Sequence, residues 1–315
     1  MAVLIIEPKD YSKRAVCEYQ RLGTVWFGEA PAGCMDLVKV LVVRLGRSLD
    51  KACLGGYPSL RAIVTPTTGL THIELAACED RGIRIFSLAD CRDAIDQLTS
   101  TSELTLGLII SLLRRIPMAH HGVLHEGCWD RDRYRSRQLS NLTLGIIGLG
   151  RIGGHLATYG NVLGMRLLAY DPFQSNQRFK KLRARRMELD ALLKEADVIS
   201  IHANLTGDNR GLIGSKEIKL LASHALLVNT ARGALLDEDA AAKALKAKRL
   251  GGIAVDVLSD EHSVKSPLHS PLIQAAKAGL NVIVTPHIGG CTSDAMHLTE
   301  DRMAEISVSA LLKVI

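Results

Sequence analysis

Three side chains in the second half of the chain have the types and order to do chemistry together. Arg232 lies in Asn229-Thr-Ala-Arg-Gly233, after the apolar run Leu226–Val228. Glu261 follows shortly after Ile253–Val257, and His287 sits in Thr285-Pro-His-Ile-Gly-Gly290, after Val282–Val284. An unperturbed histidine titrates near pH ~6.5, so it can give or take a hydroxyl proton around neutrality. A carboxylate beside it would orient the ring. A guanidinium would hold a substrate carboxylate in a forked geometry and polarise the neighbouring carbonyl. The set suffices to move a hydride at a 2-hydroxy or 2-oxo acid, provided that a fold brings the strand ends to one edge and a hydride carrier is bound there.

The carrier is announced by Thr143-Leu-Gly-Ile-Ile-Gly148-Leu-Gly150-Arg-Ile-Gly153-Gly154. The apolar run Leu144–Ile147 enters a G-x-G-x-x-G turn, and an amphipathic segment from Arg151 to about Leu163 leaves it. Strand, tight turn and helix N-terminus in that order place unpaired backbone N–H groups where a dinucleotide pyrophosphate can sit. Gly148 allows the turn, Gly150 the close approach of phosphate, and Gly153 the packing of helix on strand. A second apolar run, Met165–Tyr170, ends at Asp171, about twenty residues past the glycines, where it can accept from the adenosine ribose hydroxyls. Its charge would repel a 2′-phosphate, so NAD is expected over NADP, with the arginines from Arg178 onward acting against that preference.

Strand-and-helix alternation surrounds these motifs. Val3–Ile6, Thr24–Phe27, Val40–Arg44, Leu60–Val64 and Ile83–Phe86 read as strands, as do Asp197–His202, Ala225–Val228, Gly252–Val255 and Val282–Thr285. This is an α/β pattern with largely parallel sheets. One long helix is expected from about Arg92 to His121, with Leu98, Leu104, Leu108, Leu112 and Ile116 on its apolar stripe. Ligands in open parallel sheets bind beyond the carboxyl ends of strands. Two loops there could hold an anion. Val43-Arg44-Leu-Gly-Arg47 offers the charge of Arg44, and Thr65-Pro-Thr67-Thr68-Gly69 offers backbone N–H groups from Thr67 to Gly69. Ordinary connecting loops would look the same.

A chain of 315 residues with 47% hydrophobic content can bury cores for two domains. No apolar run reaches the ~18 residues of a membrane span. The N-terminus reads as a first strand and not a signal peptide, so no membrane association and a cytoplasmic location are expected. The seven cysteines are scattered without a C-x-x-C pair, which argues against a disulfide framework or zinc cluster. His120, His121 and His125 have nothing nearby to complete a ligand set, so no metal is expected. The net charge of +6 collects in Arg131–Arg137 and Arg178–Arg186. With no nucleic-acid motif and 4% aromatic residues, these runs are expected to be a solvated face that attracts anions, not a nucleic-acid surface.

Taken together, these motifs resemble the D-isomer-specific 2-hydroxyacid dehydrogenases, the family of phosphoglycerate dehydrogenase and the glyoxylate/hydroxypyruvate reductases. The resemblance runs through Thr67-Thr-Gly-Leu-Thr-His-Ile-Glu74, Glu103-Leu-Thr-Leu-Gly107, Gly145–Gly153, Val228–Gly233, Ala254-Val-Asp256-Val and Thr285–Gly290. It implies an α/β fold of two Rossmann-like/flavodoxin-like domains with parallel sheets, the cofactor domain inserted into the substrate domain. The implied boundaries are 1–94 with 287–315 for the substrate domain and 95–286 for the NAD-binding domain. It gives Arg232, Glu261 and His287 the catalytic roles described above. Gly148, Gly150, Arg151, Ile152 and Gly153 would hold the pyrophosphate of NAD, and Asp171 the ribose. Asn204, Leu205 and Thr206 would pass beside the cofactor, as would Thr230, Ala231 and Arg232. Asp256 would meet the nicotinamide carboxamide, with His287 and Gly289 close by. Arg44, Thr67, Thr68, Gly69, Arg232 and His287 would contact the small acid. A homodimer joined through the cofactor domain is also implied.

Three positions depart from the family pattern: Asn204 and His262 stand where proline is common, and Ser136 where glycine is frequent. None removes a candidate catalytic group. Because the chain ends just after its last helix, a serine-sensing regulatory domain is not expected. An NAD(H)-sensing binding protein of corepressor type is the alternative reading. The acid itself stays open, since Arg44, Arg47 and Arg133 suit a phosphorylated substrate as well as a smaller one.

Overall fold

The computed structural model describes residues 1–259, 261 and 267–313. The chain forms two compact units, one of residues 1–98 together with the chain from Cys291 on, the other of Thr99–Gly290.

In unit 1, β1 (Ala2–Ile5), β2 (Thr24–Phe27), β3 (Val38–Val42), β4 (Ala62–Thr65) and β5 (Arg84–Ser87) pair in parallel in the order β2-β1-β3-β4-β5. β1 and β4 are buried at every position, as strands covered on both faces must be. Alternate residues serve alternate faces. Val3, Val40, Val42 and Val64 pack with Ala15, Tyr19, Met303, Ala304 and Val308, from helices Lys13–Gln20 and Ser293–Leu311. Leu4, Leu41 and Ile63 pack with Leu54, Ile73 and Ala77 on the other side.

In unit 2, β6 (Thr143–Ile147), β7 (Arg166–Tyr170), β8 (Arg185–Arg186), β9 (Val198–Ile201), β10 (Leu226–Asn229), β11 (Gly252–Val255) and β12 (Val282–Val284) pair in parallel in the order β12-β11-β10-β9-β6-β7-β8. Unit 1 thus has the flavodoxin-like order, and unit 2 the dinucleotide-binding order extended by one strand. The order reverses between β1 and β3 in unit 1 and between β6 and β9 in unit 2. These switch points are where open parallel sheets leave a crevice.

The single long helix expected over residues 92–121 is not formed. A 3₁₀ stretch covers Leu88–Ile95, and two helices follow, Ser100–Leu113 and Ile116–Glu126. Arg115 between them is left-handed, with φ of 50°. Pro117 explains the break, since it lacks the N–H that a continuous helix would bond to Leu113 and its ring crowds that carbonyl.

Candidate active site

Unit 2 leaves its switch point to backbone. Gly148 has φ of 93°, and a Cβ there would come within 2.7 Å of the His202 and Ala203 backbone. A Cβ on Gly153 would strike the Gly148 carbonyl oxygen. Only glycine at both positions lets the loop after β6 pass so close to the loop after β9 and to its own helix. Helix Arg151–Val162 begins at Gly150 with no side-chain cap. The N–H groups of Ile152 and Gly153 donate to no described residue, so they and the positive dipole end are available to an anion.

Side chains brace the turn from behind. Asp171 Oδ2 accepts from Leu149 N–H at 2.7 Å, and Oδ1 from Phe173 N–H at 2.9 Å. Arg178 donates from Nε to the Leu149 carbonyl at 3.3 Å and from Nη2 to that of Gly150 at 2.9 Å. The basic run 178–186 is therefore not simply a solvated face. Arg178 is tied to the turn, Phe179 is buried in the core, and Arg186 stacks over the Phe179 ring at 5.0 Å. In the loop after β9, Asn209 ties Asn204 to Thr206, accepting from Thr206 N–H at 2.8 Å and donating to the Asn204 carbonyl at 2.7 Å. The His202 ring pairs Nε2 with Ser200 Oγ at 2.8 Å and leaves Nδ1 without a partner. Burial pushes its pKa down to about 3, so the ring is neutral near pH 7.

The three chemically competent side chains converge because β10, β11 and β12 are neighbours with aligned ends, Asn229 opposite Val255 and Val255 opposite Val284. Buried Asn229 folds the loop that carries Arg232, accepting from Ala231 N–H at 3.0 Å and donating to the Arg232 carbonyl at 2.9 Å. Gly233 lies where a Cβ would strike Leu258, which lets this loop pack on the one leading to Glu261. Thr230 Oγ1 meets Thr105 Oγ1 at 2.8 Å. The Arg232 guanidinium donates to the Ala231 carbonyl at 2.6 Å. Burial lowers its pKa, and the nearby Glu261 carboxylate acts in the opposite direction.

His287 Nδ1 lies 2.8 Å from Glu261 Oε1, with about a quarter of the histidine side chain and a fifth of the glutamate exposed. With an ionised carboxylate as acceptor, Nδ1 carries the proton and Nε2 is the atom free to exchange one. His287 has φ of 55°, a strained conformation for a side-chain-bearing residue. Asp256 holds it there. Its backbone carbonyl accepts from His287 N–H at 2.8 Å. Its buried carboxylate accepts from Thr285 Oγ1 at 2.6 Å and from Ile288 and Gly289 N–H at 2.8 Å each. Asp256, expected only as a cofactor contact, shapes the histidine loop. His262 lies outside the described residues. Ser136 donates to the Leu113 carbonyl at 2.6 Å.

Unit 1 carries the remaining candidates. The N–H groups of Thr68 and Gly69 donate to no described residue, while Thr67 Oγ1 donates to the Gly69 carbonyl at 2.8 Å. Arg44 is fully engaged within the unit. Its Nε donates to Glu300 Oε1 at 2.9 Å, Nη2 to the same oxygen, and Nη1 to the Lys9 carbonyl at 2.9 Å. Glu300 is buried, which pushes its carboxyl up, against the lowering by Ser12 N–H and Arg44. Sequence reasoning named Arg178 and Asn229 without their bracing roles and did not single out Glu7 or Glu300. Only Asn229, a polar residue ending an apolar strand run, carried a local signal. Among the described residues no group of histidine, cysteine, aspartate or glutamate could hold a metal, and no helix is long and apolar enough to cross a membrane.

A parallel sheet with an uncapped helix at its switch point, and a histidine–carboxylate pair on the same strand edge, define a dinucleotide-binding α/β protein of dehydrogenase type. Residues 106–289 match the NAD binding domain of the D-isomer specific 2-hydroxyacid dehydrogenases, and residues 32–95 match the catalytic domain of the same family. The chain belongs to that family. D-3-phosphoglycerate dehydrogenase of Methanocaldococcus jannaschii is 34% identical over 84% of this chain and 48% of its own length. The chain spans about half the length of the phosphoglycerate dehydrogenases it matches. Glyoxylate reductase of Thermococcus litoralis is 31% identical over 87% of this chain and 80% of its own. Among solved structures, D-lactate dehydrogenase of Aquifex aeolicus, complexed with NAD and lactic acid, matches with a TM-score of 0.81 at 27% identity, over 99% of this chain and 96% of that one.

Proposed function

We propose that this protein moves a hydride between NAD and C2 of a small D-2-hydroxy acid or its 2-oxo partner. The observation that carries the reading is the 2.8 Å His287–Glu261 pair, set on a strained loop on the same strand edge as Arg232. Unit 2 is the cofactor domain and unit 1 the substrate domain. The uncapped helix and the glycine cradle at Gly148 and Gly153 fit a pyrophosphate, with Gly150, Arg151 and Ile152 at the helix start and Asp171 beside the adenosine ribose. Asn204–Thr206 and Thr230–Arg232 would flank the cofactor, and Asp256 and Gly289 would hold its nicotinamide end. When bound, the nicotinamide donates or accepts the hydride.

The chain's own groups do the rest. In the reducing direction His287 Nε2 gives its proton to the oxygen that becomes the hydroxyl, and in the oxidising direction Nε2 takes it back. Glu261 keeps the ring in the tautomer this requires and stabilises its charged form. Arg232 takes the substrate carboxylate and polarises the carbonyl. Following NADH oxidation with glyoxylate, hydroxypyruvate and pyruvate tests the reading; inactivity across a broad panel, with NADH shown to bind, would sink it.

A homodimer is part of the proposal. Helix Ile116–Glu126 and the loop after it expose Ile116, Val123, Leu124 and Trp129, the last at 89%. Apolar surface of this extent suits a partner subunit, and sedimentation velocity would detect it. A cytoplasmic location agrees with seven free thiols.

A further inference from the structure

We propose that the acid this protein turns over carries no phosphate, because the guanidinium best placed to bind one in unit 1 is consumed by Glu300. The inference rests on the oxidoreductase reading and narrows its substrate.

The crevice between β1 and β3 is where the topology of unit 1 would put an anion. Protein side chains bridge its loops. Glu7, from the loop after β1, takes the N–H of Arg44 on Oε2 at 2.6 Å and that of Gly46 on Oε1 at 2.8 Å. Arg44 turns its guanidinium to Glu300 and the Lys9 carbonyl and lies over the Tyr11 ring at 5.0 Å. The second oxygen of Glu300 accepts Ser12 N–H at 2.8 Å. Glu300 is 0% exposed, so the pair is a buried one in which breaking either partner is costly. The crevice thus holds two carboxylates around one guanidinium. Lys9 and Arg47, in the loops after β1 and β3, are exposed.

The neighbouring loop after β4 contains no charged residue from Thr65 to Gly69. Its Thr65 and Thr67 hydroxyls bond each other at 2.9 Å. The N–H groups of Thr68 and Gly69 donate to no described residue. Both are neutral donors. With neither a helix N-terminus nor a free charged donor behind them among the described residues, these two groups do not offset a phosphate dianion, and the net negative charge of two carboxylates around one guanidinium would repel it.

Hydroxypyruvate and its 3-phosphate ester differ only in the group at issue. With NADH saturating, kcat/KM for hydroxypyruvate should exceed that for the ester by at least about tenfold. Equal or better use of the ester would overturn the proposal while leaving the oxidoreductase reading intact. No oxidation of NADH by either acid, nor by glyoxylate or pyruvate, would overturn both. Glu300→Gln should weaken the hold on Arg44 and narrow the preference by at least about threefold, as expected when one charge of a pair is removed; an unchanged ratio in a folded variant would remove the pair as its cause. If that variant does not fold, the wild-type ratio decides alone.

Discussion

Both sheets of this chain reverse their strand order, and they treat the reversal in opposite ways. In unit 2 the loops after β6 and β9 approach through glycine, and the crevice ends in a helix N-terminus without a side-chain cap. In unit 1 the equivalent crevice is tied shut by Glu7, Arg44 and Glu300. Topology makes a crevice at each switch point, but the loop residues decide what fills it. Backbone N–H groups left unpaired invite an anion, whereas a carboxylate that takes those N–H groups becomes part of the fold.

The contrast can be broken in several places. The largest effect is expected at His287. His287→Ala should lower kcat by about 10²–10⁴-fold, as loss of a general acid–base does, while NADH titration gives a Kd close to wild type. A fully active variant would remove His287 from the chemistry. Next, Gly153→Ala puts a methyl against the Gly148 carbonyl and should weaken NADH binding about tenfold or more, because the turn can no longer close on the helix.

Its counterpart in unit 1, Glu7→Gln, should cost about 1–3 kcal/mol of stability through weakened charged hydrogen bonds, read by urea unfolding. The Kd for NADH should not change. If Glu7→Gln weakens NADH as much as Gly153→Ala does, the two crevices are not functionally distinct.

A further effect is a pH dependence at His202. Its folded pKa, about 3, lies below the ordinary 6.5, so its contribution to stability is complete above pH 6.5 and is lost as pH falls toward 3. The loss is at most about 1.4 kcal/mol per pH unit. Replacing His202 with Asn should flatten the fall in urea midpoint between about pH 6 and 4.5, and an unchanged slope would assign the acid sensitivity elsewhere.

Much of this was legible in the sequence because it depends on local pattern. Buried strands read as apolar runs, the glycine turn as its spacing, and Arg232, Glu261 and His287 as polar residues just past strand ends. The rest depended on partners distant in the chain. Arg44 looks like an anion ligand until Glu300, 256 positions away in the last helix, takes it. β8 is two arginines inside a basic run and carries no apolar signal. The break at Pro117 was written in the sequence, but the apolar stripe continues across it and masks it. Asp256 read as a cofactor contact, and its hold on the His287 loop appears only when the ends of β11 and β12 lie side by side.

The most direct test of the central claim follows the hydride itself. The protein would be given NADH deuterated at the transferring position of its nicotinamide, together with hydroxypyruvate, and the product analysed by mass and chirality. Hydride transfer at the His287 edge predicts a D-configured 2-hydroxy acid carrying deuterium at C2. An L-configured product, or a product without deuterium at C2, would contradict it.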